Sequence, residues 1–216
     1  MLLPVNPLSP TVRAALVIGL LVVGASVLLF ARRQARPGRI GGSMSRPKQV
    51  WLFLALGLWF VAAPALACDP AVSPPLRRIL GGFALLMYAR LPVELLLLYW
   101  IKRWTPPMGI SHDAVCFAWM VTGLALWGPE VPWPPAGPAD QAALLLVAAV
   151  VPSLLVEIHH AYMFHVVVGE RTKGDEAVWF ASADDPRFRY INRSTLVCDV
   201  PLVLMLAGVV LLALRG

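Results

Sequence analysis

Six long apolar runs dominate the chain, and short polar segments separate them. The runs cover residues 11–31, 50–67, 79–101, 112–128, 141–168 and 197–214. A helix needs roughly 20 predominantly apolar residues to cross a bilayer, and these runs lack the strict polar-apolar alternation of a transmembrane strand. The pattern predicts an all-α fold, an integral membrane helical bundle with five to six transmembrane helices.

The composition supports the same class of protein. Hydrophobic residues make up 59% of the 216 positions and charged residues only 14%, whereas a soluble domain usually carries about 25% charged residues. We therefore expect the lipid bilayer to be the main environment of the chain.

The segment that starts at Met44 has two interpretations. It contains a basic stretch, an apolar core and the triplet "ALA" directly before Cys68, which is typical of a signal peptide with its cleavage site. Either residues 44–67 are a cleaved signal peptide, which leaves four spans, or residues 50–67 form a retained second span. N-terminal sequencing of the purified protein distinguishes a start at Met1 from a start at Met44.

The runs suggest three parts along the chain. Residues 1–49 hold the N-terminal span and a basic cytoplasmic loop, and residues 50–67 are the second span or signal peptide. Residues 68–216 form a four-helix membrane domain with a cytoplasmic loop at about 169–196.

The distribution of positive charge predicts the orientation. The segments 32–49, 102–111 and 169–196 carry six, two and five Lys or Arg, whereas the segments on the opposite side carry four in total. Positive residues concentrate in cytoplasmic loops, so we expect a multi-pass inner-membrane (plasma-membrane) protein with both termini outside. The net charge of +6 does not indicate nucleic-acid binding. The basic loop is accompanied neither by aromatic residues placed for stacking on bases nor by a folded nucleic-acid-binding module.

Ionisable residues within the spans are the main functional signal. Arg90 lies at the midpoint of the third run and Glu94 follows four residues later, on the same helix face. An arginine at the centre of a transmembrane helix costs roughly 2.5–3.5 kcal/mol, so it should face the bundle interior and have a partner. Glu94 is the nearest candidate.

The fifth run ends in the sequence "EIHHAYMFH". Glu157 and His160 are three residues apart and point in similar directions, whereas His159 and His165 point elsewhere and are more typical of interface residues. A buried Glu and His can exchange a proton near neutral pH. The sequence thus predicts a proton relay or ion pathway, with the candidates Arg90, Glu94, Glu157 and His160.

Several polar residues should lie at one depth, in the cytoplasmic half of the bilayer. They are Glu94, His112, Asp113, His160 and Asp199. A simpler interpretation is open for the residues at the starts of the fourth and sixth runs, where Asp113 and Asp199 would cap helix N-termini. The pair formed by Arg90 and Glu94 could likewise serve only to fix helix packing.

Two kinds of bound group are compatible with these residues. Glu-x-x-His on a helix is a unit of carboxylate-bridged metal sites, which predicts a metal site of Glu94, Asp113, Glu157 and His160. Histidines on facing helices could instead ligate haem, and the candidates are His112, His160 and His165.

Three hypotheses about function remain open. The first is an ion- or metal-handling transport or accessory subunit that uses the buried Glu/His cluster and associates as a homo-oligomer or with other membrane subunits. The second is a structural or assembly subunit of a larger membrane redox complex, with no site of its own. The third is a membrane-embedded metal-dependent enzyme, although no hydrolase motif such as G-x-S-x-G or H-E-x-x-H occurs.

Overall fold

The computed structural model describes residues 10–34, 46–101, 106–168 and 189–215. Every regular element in these ranges is helical, and they contain no strand. All six apolar runs lie on helices, which confirms the prediction of an all-α protein.

Seven α-helices and three other helical segments make up the regular structure of the described residues. The α-helices are α1 (Pro10–Gln34), α2 (Arg46–Gly57), α3 (Ala63–Ala67), α4 (Pro74–Leu95), α5 (Pro106–Trp127), α6 (Pro138–Val168) and α7 (Arg189–Arg215). A π-helical segment, Leu58–Ala62, joins α2 to α3, a second one, Leu96–Ile101, extends α4, and the 3₁₀ turn Gly128–Glu130 follows α5. Six of the α-helices have proline at the first or second position, where a missing N–H costs nothing.

Two helical stretches are long and apolar enough to cross a bilayer. They are Gly109–Glu130 and Pro138–His159, with mean hydropathies of 1.3 and 2.1. Shorter apolar stretches of 10–17 residues lie at Pro10–Ser26, Phe53–Ala67 and Asp199–Leu212. By length and composition these two stretches are candidate membrane-spanning helices.

Helix α6 lies at the centre of the packing. It contacts α5 and α7 along its length and also touches α3, α4 and the π-helical segment Leu58–Ala62. Helix α2 contacts α1 and α7, and α4 contacts α3 and α5. The core between them is almost wholly apolar, with fully buried side chains that include Leu58, Leu80, Phe83, Leu146 and Leu154.

A glycine allows α4 and α5 to approach closely. The indole of Trp119 lies directly against the backbone at Gly82, so that a Cβ atom there would overlap the ring. The same indole donates a hydrogen bond from Nε1 to the carbonyl oxygen of Ile79 at 3.0 Å. Gly82 and Trp119 therefore fix the separation and the register of the two helices.

Helix boundaries change the interpretation of two acidic residues. Helix α5 begins at Pro106 and α7 at Arg189, so that Asp113 and Asp199 lie well inside these helices. The interpretation of both as N-terminal caps is wrong, because α5 and α7 extend beyond the apolar runs into the preceding polar sequence. Residues 189–196, which the sequence placed in a loop, belong to α7, and residues 169–188 lie outside the described residues.

Candidate functional site

Arg90 is the centre of a buried ionic cluster between α4 and α5. Its Nε donates a hydrogen bond to Glu94 Oε2 at 2.7 Å, and its Nη1 donates to Asp113 Oδ1. The side chain of Arg90 is 8% exposed and that of Asp113 only 1%. One guanidinium thus connects two carboxylates, one on its own helix and one on the neighbouring helix.

The local sequence explains this arrangement. Residues four apart on a helix are neighbours on its surface, which brings Glu94 beside Arg90 and confirms the predicted pair. Helix α5 packs against α4, and Asp113 projects from it towards Arg90. Charged groups in an apolar interior need partners, and the fork of the guanidinium can serve two carboxylates at once.

Glu157 on α6 adds a third carboxylate. It lies within electrostatic range of Arg90, Glu94 and Asp113. Its Oε2 accepts a hydrogen bond at 2.5 Å from Nε1 of Trp51, a fully buried residue on α2. The ionic cluster, defined as Arg90, Glu94, Asp113 and Glu157, therefore draws on three helices and has a fourth helix as hydrogen-bond donor.

A layer of aromatic residues lies beside the cluster. Trp51 and Trp59 pack edge to face with ring centroids 6.3 Å apart, and Trp59 packs in the same way on Phe83 at 6.4 Å. Trp59 Nε1 donates to Ser153 Oγ at 2.8 Å, and Ser153 Oγ in turn donates to the carbonyl oxygen of Val150 at 2.7 Å. Because Ser153 lies four residues before Glu157 on α6, these contacts hold the face of α6 that carries Glu157 against the π-helical segment Leu58–Ala62.

One carboxylate oxygen of the cluster has no hydrogen-bond partner within the described structure. Asp113 uses Oδ1 for Arg90, whereas its buried Oδ2 accepts no hydrogen bond. A buried acceptor without a donor is costly. Asp113 is therefore held in the cluster through one oxygen, by its ion pair with Arg90.

The remaining predicted residues fall into two groups. His112 is partly exposed, and its Nδ1 is 3.9 Å from Asp113 Oδ1, so it borders the cluster. Asp199 is buried on α7 and His159 is exposed on α6. The side chains of His160 and His165 lie outside the described residues, so their proposed part in the relay, metal and haem sites stays a prediction.

The described residues do not form a metal site of the expected kind. Among them, no group of three His, Cys, Asp or Glu side chains is arranged to hold a metal ion. The carboxylates of Glu94 and Asp113 are directed at a guanidinium instead of at each other. The cluster is therefore organised around a fixed cation that belongs to the protein.

Sequence reasoning missed the direct pairing of Asp113 with Arg90 and the part of Trp51. The sequence predicts Asp113 as a metal ligand, a helix cap or a polar residue at the depth of Glu94, but not as the partner of Arg90. Trp51 carried a usable signal, since a tryptophan within an apolar span must find an acceptor for its N–H when it is buried. Which acceptor it finds depends on the packing of α2 against α6, and the local sequence does not contain that information.

Comparison with protein-family models, with curated proteins and with solved structures finds no significant match to this chain.

Proposed function

We propose that the protein is a multi-pass inner-membrane helical bundle that takes up and passes on protons through the ionic cluster of Arg90, Glu94, Asp113 and Glu157. It would act as a transport subunit or as an accessory subunit of a larger membrane assembly. The observation that carries this proposal is the guanidinium of Arg90 paired with two carboxylates inside the bundle, with the third carboxylate, Glu157, within electrostatic range.

The charge of the cluster favours proton binding. Three carboxylates and one guanidinium would leave a net charge of −2 if all were ionised. Such an excess is unfavourable in a low-dielectric interior, and carboxylates that share a site relieve it by binding a proton. Ionisable residues at membrane depth commonly belong to proton relays.

The exposed side chains support a multi-pass arrangement. Large apolar residues are more than half exposed on four different helices, for example Leu21, Leu85, Leu126 and Leu204. Exposed apolar surface of this extent indicates a lipid or protein environment. The bias of Lys and Arg between the runs places both termini outside in this proposal.

The proposal is tested by an infrared titration of the full-length protein in lipid. A protonated carboxyl group gives a C=O stretching band that a carboxylate lacks. We expect such a band in the wild type, with loss or reduction in Asp113→Asn and in Glu157→Gln. The matched control is Asp140→Asn, because Asp140 is also buried but accepts a hydrogen bond from the backbone N–H of Ser73, away from the cluster.

A pattern in which all three variants keep the wild-type band would contradict the proposal. Measurement of proton flux into liposomes that contain the protein then distinguishes a transport subunit from an accessory subunit. Flux that Glu157→Gln abolishes identifies a transport subunit, whereas a titrating cluster without flux identifies an accessory subunit.

The alternative hypothesis, a structural or assembly subunit with no site of its own, is compatible with the same ion pairs. Arg90 with Asp113 could serve only to join α4 and α5, as expected for an assembly subunit without a site. In that case the cluster would not change protonation over the accessible pH range, and the infrared titration would give no carboxyl band from it.

A further inference from the structure

We propose that Cys116, Met87 and His112 form a binding site for a monovalent soft metal ion, Cu(I), between α4 and α5. Cys116 Sγ is 3.6 Å from Met87 Sδ and 3.6 Å from His112 Nδ1. None of the three belongs to the ionic cluster, so the inference does not depend on the function proposed for it.

The helices bring the three ligands together in a simple way. His112 and Cys116 are four residues apart on α5 and therefore lie on one face. Met87 lies on α4, where that helix packs against α5. Cys116 and Met87 are buried, at 0% and 1% exposure, whereas the His112 side chain is 24% exposed. An ion could thus reach the two sulfur atoms past the imidazole.

The two separations measured from Cys116 Sγ match those between neighbouring ligands of a three-coordinate ion. With metal–sulfur and metal–nitrogen bonds of about 2.3 and 2.0 Å, two ligands at 120° around one ion lie about 4.0 Å apart for two sulfurs and about 3.7 Å apart for sulfur and nitrogen. Both observed separations of 3.6 Å are within a few tenths of an ångström of these values. Small rotations of the side chains would complete the geometry.

The chemistry of the ligands selects Cu(I) over the common divalent ions. Thiolate and thioether sulfur are soft ligands that favour Cu(I), and imidazole also suits copper. A structural zinc ion is usually held by four ligands, and the described residues offer no such set. Thioether sulfur is a poor ligand for Mg²⁺ or Ca²⁺, which prefer oxygen.

The charge balance points to the same ion. When Cu⁺ binds, the thiol of Cys116 loses its proton to the surrounding water and a sulfur–copper bond forms, without any change of oxidation state. The thiolate and the monovalent ion together are neutral. A divalent ion would instead leave a positive charge in an apolar interior, which is unfavourable.

The test is an anaerobic Cu(I) titration of the full-length protein against a chromophoric chelator. Cys68 is exposed and could bind copper itself, so the titration uses a Cys68→Ser, Cys198→Ser background in which Cys116 is the one remaining thiol. We expect one Cu(I) per chain. Even outer-shell partners change metal affinity about 10- to 100-fold, so Cys116→Ser should weaken binding at least about 100-fold.

Two further variants and one control complete the titration. Met87→Leu and His112→Gln remove one ligand each, keep the thiol, and should each weaken binding at least about 10-fold. The control Met205→Leu removes a partly buried thioether on α7 and should leave the affinity unchanged.

X-ray absorption at the copper edge gives a second measurement, whose main result comes from the protein with all three ligands intact. We expect two sulfur neighbours and one nitrogen neighbour, with one sulfur fewer in Met87→Leu. Undiminished Cu(I) affinity after Cys116→Ser, or a spectrum without sulfur neighbours, would overturn the proposal.

Discussion

Arg90 and Asp113 form a buried ion pair that joins α4 to α5, and the same guanidinium also donates to Glu94 at 2.7 Å. Both partners of the interhelical pair are almost completely removed from the surface, at 8% and 1% side-chain exposure. The pair is therefore a specific link between helices whose other contacts are mainly apolar. Loss of either partner should destabilise the folded protein, because the other partner remains as an uncompensated buried charge.

Arg90→Leu should strongly destabilise the protein. Removal of one partner from a buried ion pair costs about 3–5 kcal/mol, because the other charge is left uncompensated. In this protein two carboxylates lose their partner in the same substitution. The free energy of unfolding of the detergent-solubilised protein, measured by denaturant titration, checks this value.

The control for Arg90→Leu also removes the two carboxylates that this substitution leaves without a partner. In the triple variant Arg90→Leu, Glu94→Gln, Asp113→Asn, part of the lost stability should return, since no carboxylate of the ion pairs is left as an unpaired buried charge. Equal stability of the single and triple variants would contradict the ionic explanation and leave lost packing as the cause.

Trp51→Phe should cost more stability than Trp59→Phe. Trp51 donates to the carboxylate of Glu157 and Trp59 to the hydroxyl of Ser153. Hydrogen bonds to charged groups contribute about 1.5–3 kcal/mol, whereas neutral ones contribute about 0.5–1.5 kcal/mol. Both substitutions remove a buried indole, so the difference between their unfolding free energies isolates the charged acceptor. A larger loss for Trp59→Phe would refute this order.

The helices were predictable because bilayer-length apolar runs are a strong signal that depends only on local composition. Arg90 and Glu94 could be paired from the sequence for the same reason, since the helical repeat alone places them together. The pairing of Arg90 with Asp113 depends on how α4 packs against α5, which the order of residues along either helix does not specify.

The boundaries of α5 and α7 show a second limit of prediction from the sequence, namely that hydropathy does not locate helix ends. Hydropathy marks where apolar residues begin, but a helix continues as long as its backbone hydrogen bonds do. Helix α5 therefore starts at Pro106, before the apolar run at 112, and α7 starts at Arg189, before the run at 197. Asp113 and Asp199 therefore lie in helix interiors and not at the helix ends that hydropathy predicts.

Gly82→Ala should destabilise the protein although alanine is the better helix former. The added methyl group would overlap the indole of Trp119, and overpacking of a tight interface costs about 1–3 kcal/mol. The control Gly128→Ala adds the same group where no atom lies within 4 Å, so it should be neutral or stabilising by up to about 1 kcal/mol. Thermal unfolding of both variants checks the contrast.

A double variant identifies the neighbour responsible for the effect at Gly82. If the indole causes the strain, Gly82→Ala should cost less in a Trp119→Leu background than in the wild type, because contacting residues are energetically coupled. Additive effects of the two substitutions would exclude Trp119 as the source.

Asp140→Ala should weaken the junction between α4 and α6, whereas Glu130→Ala should have little effect. Asp140 is 3% exposed, lies in the first turn of α6, and accepts a hydrogen bond at 2.7 Å from the backbone N–H of Ser73, the residue before α4. Loss of that acceptor leaves a half-buried donor unsatisfied, at about 1–3 kcal/mol.

Glu130 provides the comparison, because it pairs with Arg78 at 3.4 Å with both side chains more than half exposed. Surface ion pairs contribute about 0–1 kcal/mol, so its removal should change the free energy of unfolding by less than that of Asp140. Asp140→Asn should fall between the two, because the amide oxygen can still accept from Ser73 while the favourable charge at the N-terminus of α6 is lost. An Asn variant as unstable as the Ala variant would assign the effect to charge instead of to the hydrogen bond.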